Sequence, residues 1–117
     1  MVSQMANYDA LFHALADGTR RAMVERLARG PASVSDLAAP HDSALPTVLK
    51  HLRVLESSGL VVSRKEGRVR LCRLVPERTK EAEAWLARQH RAWAERLDRL
   101  DAHLEGNTQT PNTKDTR

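Results

Sequence analysis

The fold of this chain is decided by residues 33–74, which read SVSDLAAPHDSALPTVLKHLRVLESSGLVVSRKEGRVRLCRL. The stretch begins with Ser33 and has Asp36 three residues later, the spacing of a capping box at the start of a helix. We therefore predict a short helix that begins after Ser33 and ends before Pro40. The polar segment 39–43 then makes a tight connection to the next element.

A longer helix is predicted over residues 44–58. Pro46 falls in its first turn, where the missing N–H costs no helical hydrogen bond, and Gly59 suits a left-handed cap after its end. Apolar residues spaced by three and four predict the buried side of this helix: Leu45, Val48, Leu52 and Leu55. The side predicted to face outward carries Thr47, Lys50 and Val54, with His51 and Arg53 flanking it.

Two runs of β-type residues complete the stretch, at 60–64 and 69–74. The link between them, residues 65–68, is polar and contains Gly67, which is typical of a β-hairpin. The sequence thus predicts a small two-stranded hairpin directly after the longer helix.

Three more helices are predicted outside this stretch. The first begins after Asn7, with the apolar stripe Tyr8, Leu11, Phe12 and Leu15. The second is capped by Asp17 and runs to about Arg29. The last covers about residues 76–105, and residues 106–117 are expected to form a disordered tail. A heptad seam along the last helix contains Leu86, His90, Trp93, Leu97, Leu100 and Leu104.

Composition limits the class of protein. The chain has 117 residues, 41% of them hydrophobic, which suits one domain with a modest core. The single cysteine, Cys72, excludes an internal disulfide, and we expect a buried, inert thiol rather than a redox switch. No apolar run approaches the ~20 residues of a membrane span, and the first residues do not resemble a signal peptide. We therefore expect a soluble protein of the cytoplasm.

Positive charge is concentrated in one part of the chain. Residues 43–75 contain seven Lys or Arg and two Glu, a net charge of +5, whereas the whole chain has a net charge of +4. A basic block in an otherwise balanced chain suggests an anionic partner such as nucleic acid. The alternative is a solvated charged surface without a partner.

The predicted order of elements is that of a winged helix-turn-helix, a mainly α fold with a small β-hairpin wing. In such a fold the 44–58 helix enters the major groove of DNA, and the 64–70 wing reaches the flanking backbone or the minor groove. The residues expected to contact DNA are Ser43, Ala44, Thr47, Lys50, His51, Arg53, Arg64, Lys65, Arg68 and Arg70. For His51 the alternative is packing against the hairpin with a hydrogen bond to a backbone carbonyl. Arg20 and Arg21 are candidates for a phosphate contact or for a structural ion pair.

Several motifs resemble the ArsR/SmtB family of bacterial transcriptional regulators, over a single domain of about residues 6–105. The motifs are ALADGTRR (14–21), SVSDL (33–37), LPTVLKHLRVLE (45–56), SGLV (58–61) and Gly67-Arg68. The resemblance implies a homodimeric repressor, associated with the bacterial nucleoid, that binds a palindromic operator in double-stranded DNA. It also implies that the first and last helices pair the two protomers. The expected dimer contacts are Tyr8, Leu11, Phe12, Trp93, Leu97, Leu100 and Leu104.

The metal-binding motifs usual in that family are absent from this sequence. Ser33-Val34-Ser35 stands where the family's thiolate sensors have Cys-Val-Cys, and hydroxyls are poor ligands for soft metals. His90 and His103 lack the spacing of the family's zinc site in the last helix. We therefore expect no metal and no cofactor, and the effector stays unknown.

Two other functions remain open on the sequence. One is a metal- or small-molecule-responsive sensor with a non-standard site, and the other is a winged-helix module that contacts protein or RNA. An enzyme is not expected, because no nucleophile, base and orienting group recur at the spacing of a catalytic site.

Overall fold

Helices and short strands make up this computed structural model, which describes residues 2–108, with the side chains of residues 8–106. The helices are α1 (Val2–Leu15), α2 (Gly18–Leu27), α3 (Val34–Ala38), α4 (Leu45–Ser57) and α5 (Pro76–Thr108). The strands are β1 (Ala32–Ser33), β2 (Val61–Glu66) and β3 (Val69–Leu74). The mainly α class with a small β-hairpin is confirmed. The chain divides into an N-terminal unit, up to Ala82, and a C-terminal unit, from Glu83 onward.

Local capping groups define the helices around α4 as the sequence predicts. The Asp17 carboxylate accepts a hydrogen bond from the Arg20 backbone N–H at the start of α2, and the Ser33 hydroxyl accepts one from Asp36 at the start of α3. These side chains satisfy backbone donors that the first turn of a helix leaves without a partner. Gly59 follows α4 with φ of 84°, the left-handed conformation predicted for this position.

The bounds of three helices differ from the prediction. α1 begins at Val2 rather than after Asn7. α2 ends at Leu27 rather than near Arg29. α5 continues to Thr108, so the predicted tail begins inside this helix, and residues 109–117 lie outside the described part of the chain.

The sheet has three antiparallel strands in the order β1-β3-β2. β1 was not predicted, because its two residues pair with Leu71 and Cys72 of β3, far away in sequence. The hairpin also differs: β2 and β3 pair from Val61–Leu74 to Glu66–Val69, which leaves a two-residue turn, Gly67-Arg68, instead of the predicted four-residue link. A two-residue turn keeps the basic residues on the paired strands close to the tip.

The hydrophobic core lies in the N-terminal unit. Its buried residues are Leu11, Ala14, Met23, Leu27, Ala32, Leu37, Val48, Leu52, Leu55, Leu60, Val61, Cys72 and Ala82. Two residues of α4 differ from the predicted pattern: Leu45 is 52% exposed rather than buried, and Val54 packs against the core rather than facing outward. Leu45 is the first residue of α4, where the helix has not yet reached the core. No helix among residues 2–108 is long and apolar enough to cross a membrane.

Candidate nucleic-acid interface

The outward side of α4 is open to solvent. Thr47, Lys50 and Arg53 are exposed, three residues apart along the helix. Ser43 and Ala44, immediately before the helix, are exposed as well. The predicted groove-facing residues therefore share one accessible surface at the N-terminal half and middle of α4.

The opposite side of α4 is fixed by the core. Val48, Leu52 and Leu55 are buried together with Met23 of α2 and Leu37 of α3, and both of these helices contact α4. Burial of such a side chain contributes roughly 1.5–3 kcal/mol. The three buried residues hold α4 in one orientation, so its outward residues project from a rigid support.

A polar cluster at the start of α2 also braces α4. His51 is half-buried, and its Nδ1 lies 3.3 Å from a guanidinium nitrogen of Arg20 and 3.8 Å from the Asp17 carboxylate. Because a guanidinium only donates, this contact is a hydrogen bond when Nδ1 carries no proton. The hydrogen bond from the Arg20 backbone N–H, reinforced by the nearby positive charges, holds the pKa of the Asp17 carboxyl below its usual range.

The cluster changes the interpretation of three predicted residues. His51 contacts α2 rather than a carbonyl of the hairpin. Arg20 is buried, and its side chain donates to the carbonyls of Ala14 at 2.8 Å and His13 at 3.0 Å, in the last turn of α1. Arg21 donates to the carbonyl of Leu15 at 2.9 Å. These contacts make both arginines caps of α1 and give His51 a structural role beside α2.

The wing, which we define as β2, the turn and β3, carries exposed cations at Arg64, Lys65, Arg68 and Arg70. Arg64 pairs with Glu66 at 3.0 Å, but both side chains are exposed, so this pair is worth little and releases the guanidinium readily. Lys65 and Arg68 are exposed beside it at the tip of the hairpin. Together with α4, the wing forms a basic surface on the N-terminal unit.

A hydrogen-bonded chain joins the wing to the end of α4. The Ser63 hydroxyl donates to the Glu56 carboxylate at 2.5 Å and accepts a hydrogen bond from Arg70 at 3.0 Å. Cys72, directly opposite Ser63 in the sheet, is fully buried, and burial together with the Glu56 charge raises the pKa of its thiol. The buried thiol agrees with the prediction for Cys72.

The sequence alone does not reveal this chain of contacts. In the sequence, Glu56 is one of two acidic residues in a basic block, and no pattern distinguishes Ser63. The available signal was the alternation of the two strands: Ser63, Arg70 and Cys72 share the face of the hairpin that points toward α4. Only the register of the hairpin shows that the three meet.

The residues predicted for a dimer interface fall into two groups. Leu11 is fully buried in the core of its own chain, so we leave it out of any subunit surface. Tyr8 and Phe12 are half-buried. In the C-terminal unit, the large exposed hydrophobic residues all lie on the predicted seam of α5: Leu86, Trp93, Leu97, Leu100 and Leu104. Among the described residues, no three His, Cys, Asp or Glu side chains are grouped so as to hold a metal ion.

Residues 15–64 match the family model of a helix-turn-helix domain. The HTH-type transcriptional regulator Rv2034 of Mycobacterium tuberculosis is 48% identical over 68 residues, which are 58% of this chain and 64% of that protein, just under two thirds of its length. The arsenical resistance operon repressor of Escherichia coli is 37% identical over 90 residues, covering 72% of this chain and 77% of that protein. A solved structure, the ArsR family transcriptional regulator RHA00566, is 50% identical with a TM-score of 0.72 and covers 75% of this chain and 97% of its own.

This chain belongs to the ArsR family of transcriptional regulators. The region that matches the helix-turn-helix model, residues 15–64, contains α2, α3 and α4, and β2 and β3 form the wing. A more distant ArsR-like structure, from Mycobacterium bovis, is described as a homodimeric winged helix-turn-helix DNA-binding domain. It is 26% identical, has a TM-score of 0.60, and covers 92% of this chain and 90% of its own.

Proposed function

We propose that this ArsR-family chain is a homodimeric repressor that binds a palindromic DNA operator. The outward side of α4 reads bases in the major groove, and the wing contacts the flanking backbone. The observation that carries the proposal is the combination of a rigidly held α4 with an exposed row of Thr47, Lys50 and Arg53. The protein acts by occupying DNA rather than by catalysis.

Each residue type on α4 suits the role proposed for it. Lys50 reaches the acceptor atoms on the edge of guanine, and Thr47 meets a thymine methyl or donates to a base. Ser43, Ala44 and Arg53 lie at the ends of the row, where the DNA backbone passes on either side of the groove. This arrangement predicts that specificity depends on Thr47 and Lys50.

The wing cations supply affinity rather than sequence choice. Arg64, Lys65, Arg68 and Arg70 are placed on a hairpin whose tip is a two-residue turn, so their charge lies at the end of a projecting element. Affinity from phosphate contacts of this kind falls as the salt concentration rises. The plot of log K against log salt concentration becomes steeper by about 0.9 for each phosphate neutralised. The wing is therefore expected to set the salt dependence of binding.

Pairing of two chains is supported by the seam of α5. Trp93 is 58% exposed and lies among four exposed leucines, and single chains rarely leave such an apolar stripe in water. The homodimeric relative described above supports the same conclusion. We propose that the seam of α5, with Tyr8 and Phe12 of α1, forms the dimer interface.

Fluorescence anisotropy tests the two roles separately, on an operator selected from random duplexes and on a scrambled duplex, at several salt concentrations. Thr47→Ala and Lys50→Ala are each expected to weaken operator binding by ~1–3 kcal/mol and to leave scrambled DNA almost unaffected. Arg68→Ala is expected to weaken both duplexes equally and to reduce the salt slope by about 0.9 per protomer. Arg88→Ala, which removes an exposed arginine of α5, is the matched control.

A lost base contact lowers the ratio of operator to scrambled affinity, whereas a lost phosphate contact lowers the dependence of affinity on salt. If Thr47→Ala and Lys50→Ala keep the ratio of operator to scrambled affinity, α4 is not the reading element. If Arg88→Ala changes the salt slope as much as Arg68→Ala does, the wing has no special role.

A further inference from the structure

A groove of about 410 Å³ opens between α3, the start of α4 and the wing. Its apolar lining comes from Val34, Leu45, Leu49 and Val69, which belong to all three elements. Leu45 is 52% exposed and Val69 is 47% exposed, although both are large apolar residues. Exposed apolar side chains from distant parts of the chain therefore converge on one concave surface.

Polar groups that can donate hydrogen bonds border the same groove. They are the hydroxyls of Ser33 and Ser35 and the side chains of Arg68 and Arg70, and none of the groove's lining residues is acidic. Arg70 uses one of its N–H groups for Ser63, and a guanidinium has five. The groove thus combines an apolar surface with positive charge at one border, and this combination suits an anion that has an apolar body.

We propose that this groove binds a small amphipathic carboxylate, and that the bound ligand withdraws Arg68 and Arg70 from DNA. The size supports a small molecule, since ligand sites range from about 300 to 1,000 Å³. A partner helix, with a diameter of about 10 Å, would fill this volume within roughly one turn. DNA phosphates are charged and gain nothing from contact with the exposed apolar surface of Leu45 and Val69. The alkyl or aromatic body of a carboxylate removes that surface from water. The second half of the proposal rests on the proposed function.

Octanoate is the probe that tests whether the groove binds an amphipathic carboxylate, and this test needs no DNA. In a titration of the ¹⁵N-labelled full chain followed by NMR, we expect saturable shifts of the backbone amides of Val34, Leu49 and Val69. Acetate has the carboxylate without the apolar body, and 1-octanol has the body without the charge. Each is expected to bind at least tenfold more weakly than octanoate, and equal binding of all three would overturn the proposal.

A matched pair of variants locates the probe. Leu45→Gln is expected to weaken octanoate binding about tenfold, whereas Val62→Gln on β2 should have no effect. Both are exposed apolar residues, at 52% and 40%, so neither substitution disturbs the core. Octanoate that responds equally to the two substitutions is adsorbed on a general apolar surface, which refutes the groove.

The coupling half is tested by anisotropy on the selected operator with and without saturating octanoate. We expect the affinity for DNA to fall at least fivefold in the parent protein and less than twofold in Leu45→Gln. Unchanged affinity with an occupied groove would overturn the coupling. A protein that binds no duplex would refute the proposed function, while the octanoate titration would still decide whether the groove is a ligand site.

Discussion

At the scale of single residues, Gly59 shows how a small side chain sets the junction after α4. Its φ of 84° disfavours any residue with a Cβ, and a Cβ there would lie 2.8 Å from Nε of Arg78. The Arg78 guanidinium in turn donates to the Ser58 carbonyl at 2.7 and 3.0 Å, which caps the end of α4. Gly59 thus allows a charged side chain to reach the C-terminus of the helix.

Gly59→Ala is expected to lower the free energy of unfolding by about 2–4 kcal/mol. Backbone strain at positive φ accounts for roughly 1–2 kcal/mol, and displacement of Arg78 from the Ser58 carbonyl accounts for the rest. Urea denaturation measures the loss. Gly67→Ala is the control, because Gly67 also has positive φ, 65°, but its added Cβ would meet nothing within 4 Å. Equal losses in the two variants would show that Arg78 imposes no constraint.

At the scale of elements, the contacts among Glu56, Ser63 and Arg70 determine how the wing is held on α4. Ser63→Ala removes the hydroxyl that bonds both charged groups, and it leaves a half-buried carboxylate without that donor. We expect the free energy of unfolding to fall by about 1–2 kcal/mol. Ser57→Ala, an exposed hydroxyl of α4 itself, should change it by less than about 0.5 kcal/mol.

A double-mutant cycle distinguishes a specific contact from general damage. Glu56→Ala and Ser63→Ala are expected to be non-additive by about 0.5–2 kcal/mol, because each removes the partner of the other. The measurement is urea denaturation of the two single variants and the double variant. Additive losses would mean that the two side chains act independently.

The sequence predicted the elements whose determinants are local. Ser33, Pro46 and Gly59 place α3 and α4 within a residue or two, because capping and turn preferences depend only on neighbours in the chain. β1 was missed, since two residues make a strand only through pairing with β3. The contact of His51 with Arg20, instead of a carbonyl of the hairpin, could not be predicted for a related reason. Helical spacing indicates on which side of α4 a residue lies, but not which residue of another helix it contacts.

The candidate site was predicted to a similar extent. Cations such as Lys50 and Arg68 could be predicted as exposed because their charge is costly to bury, and the structure leaves them exposed. The exposure of Leu45 could not be predicted. Its spacing matches the buried stripe, whereas its position as the first residue of α4 exposes it. The groove beside it forms only when α3, α4 and the wing come together in space.

At the scale of the whole molecule, the seam of α5 predicts a dimer. Leu97→Lys combined with Leu100→Lys places two charges in the proposed interface, so we expect a monomer of 13.1 kDa by light scattering where the parent has twice that mass. Ala92→Lys with Ala102→Lys adds the same charges at exposed positions off the seam and should leave the dimer intact. A dimer that survives both double substitutions would remove α5 from the interface.

The division of the chain after Ala82 has a consequence for how such regulators diversify. The exposed cations of α4 and the wing lie wholly before it, and the exposed apolar residues of α5 lie wholly after it. On the proposed function, after a gene duplication, changes confined to the seam of α5 can stop two sister proteins from mixing their subunits while both keep the same target. Changes confined to α4 and the wing can redirect one copy to new genes without altering that seam. Two inherited traits, partner and target, can therefore drift at different rates within one short gene.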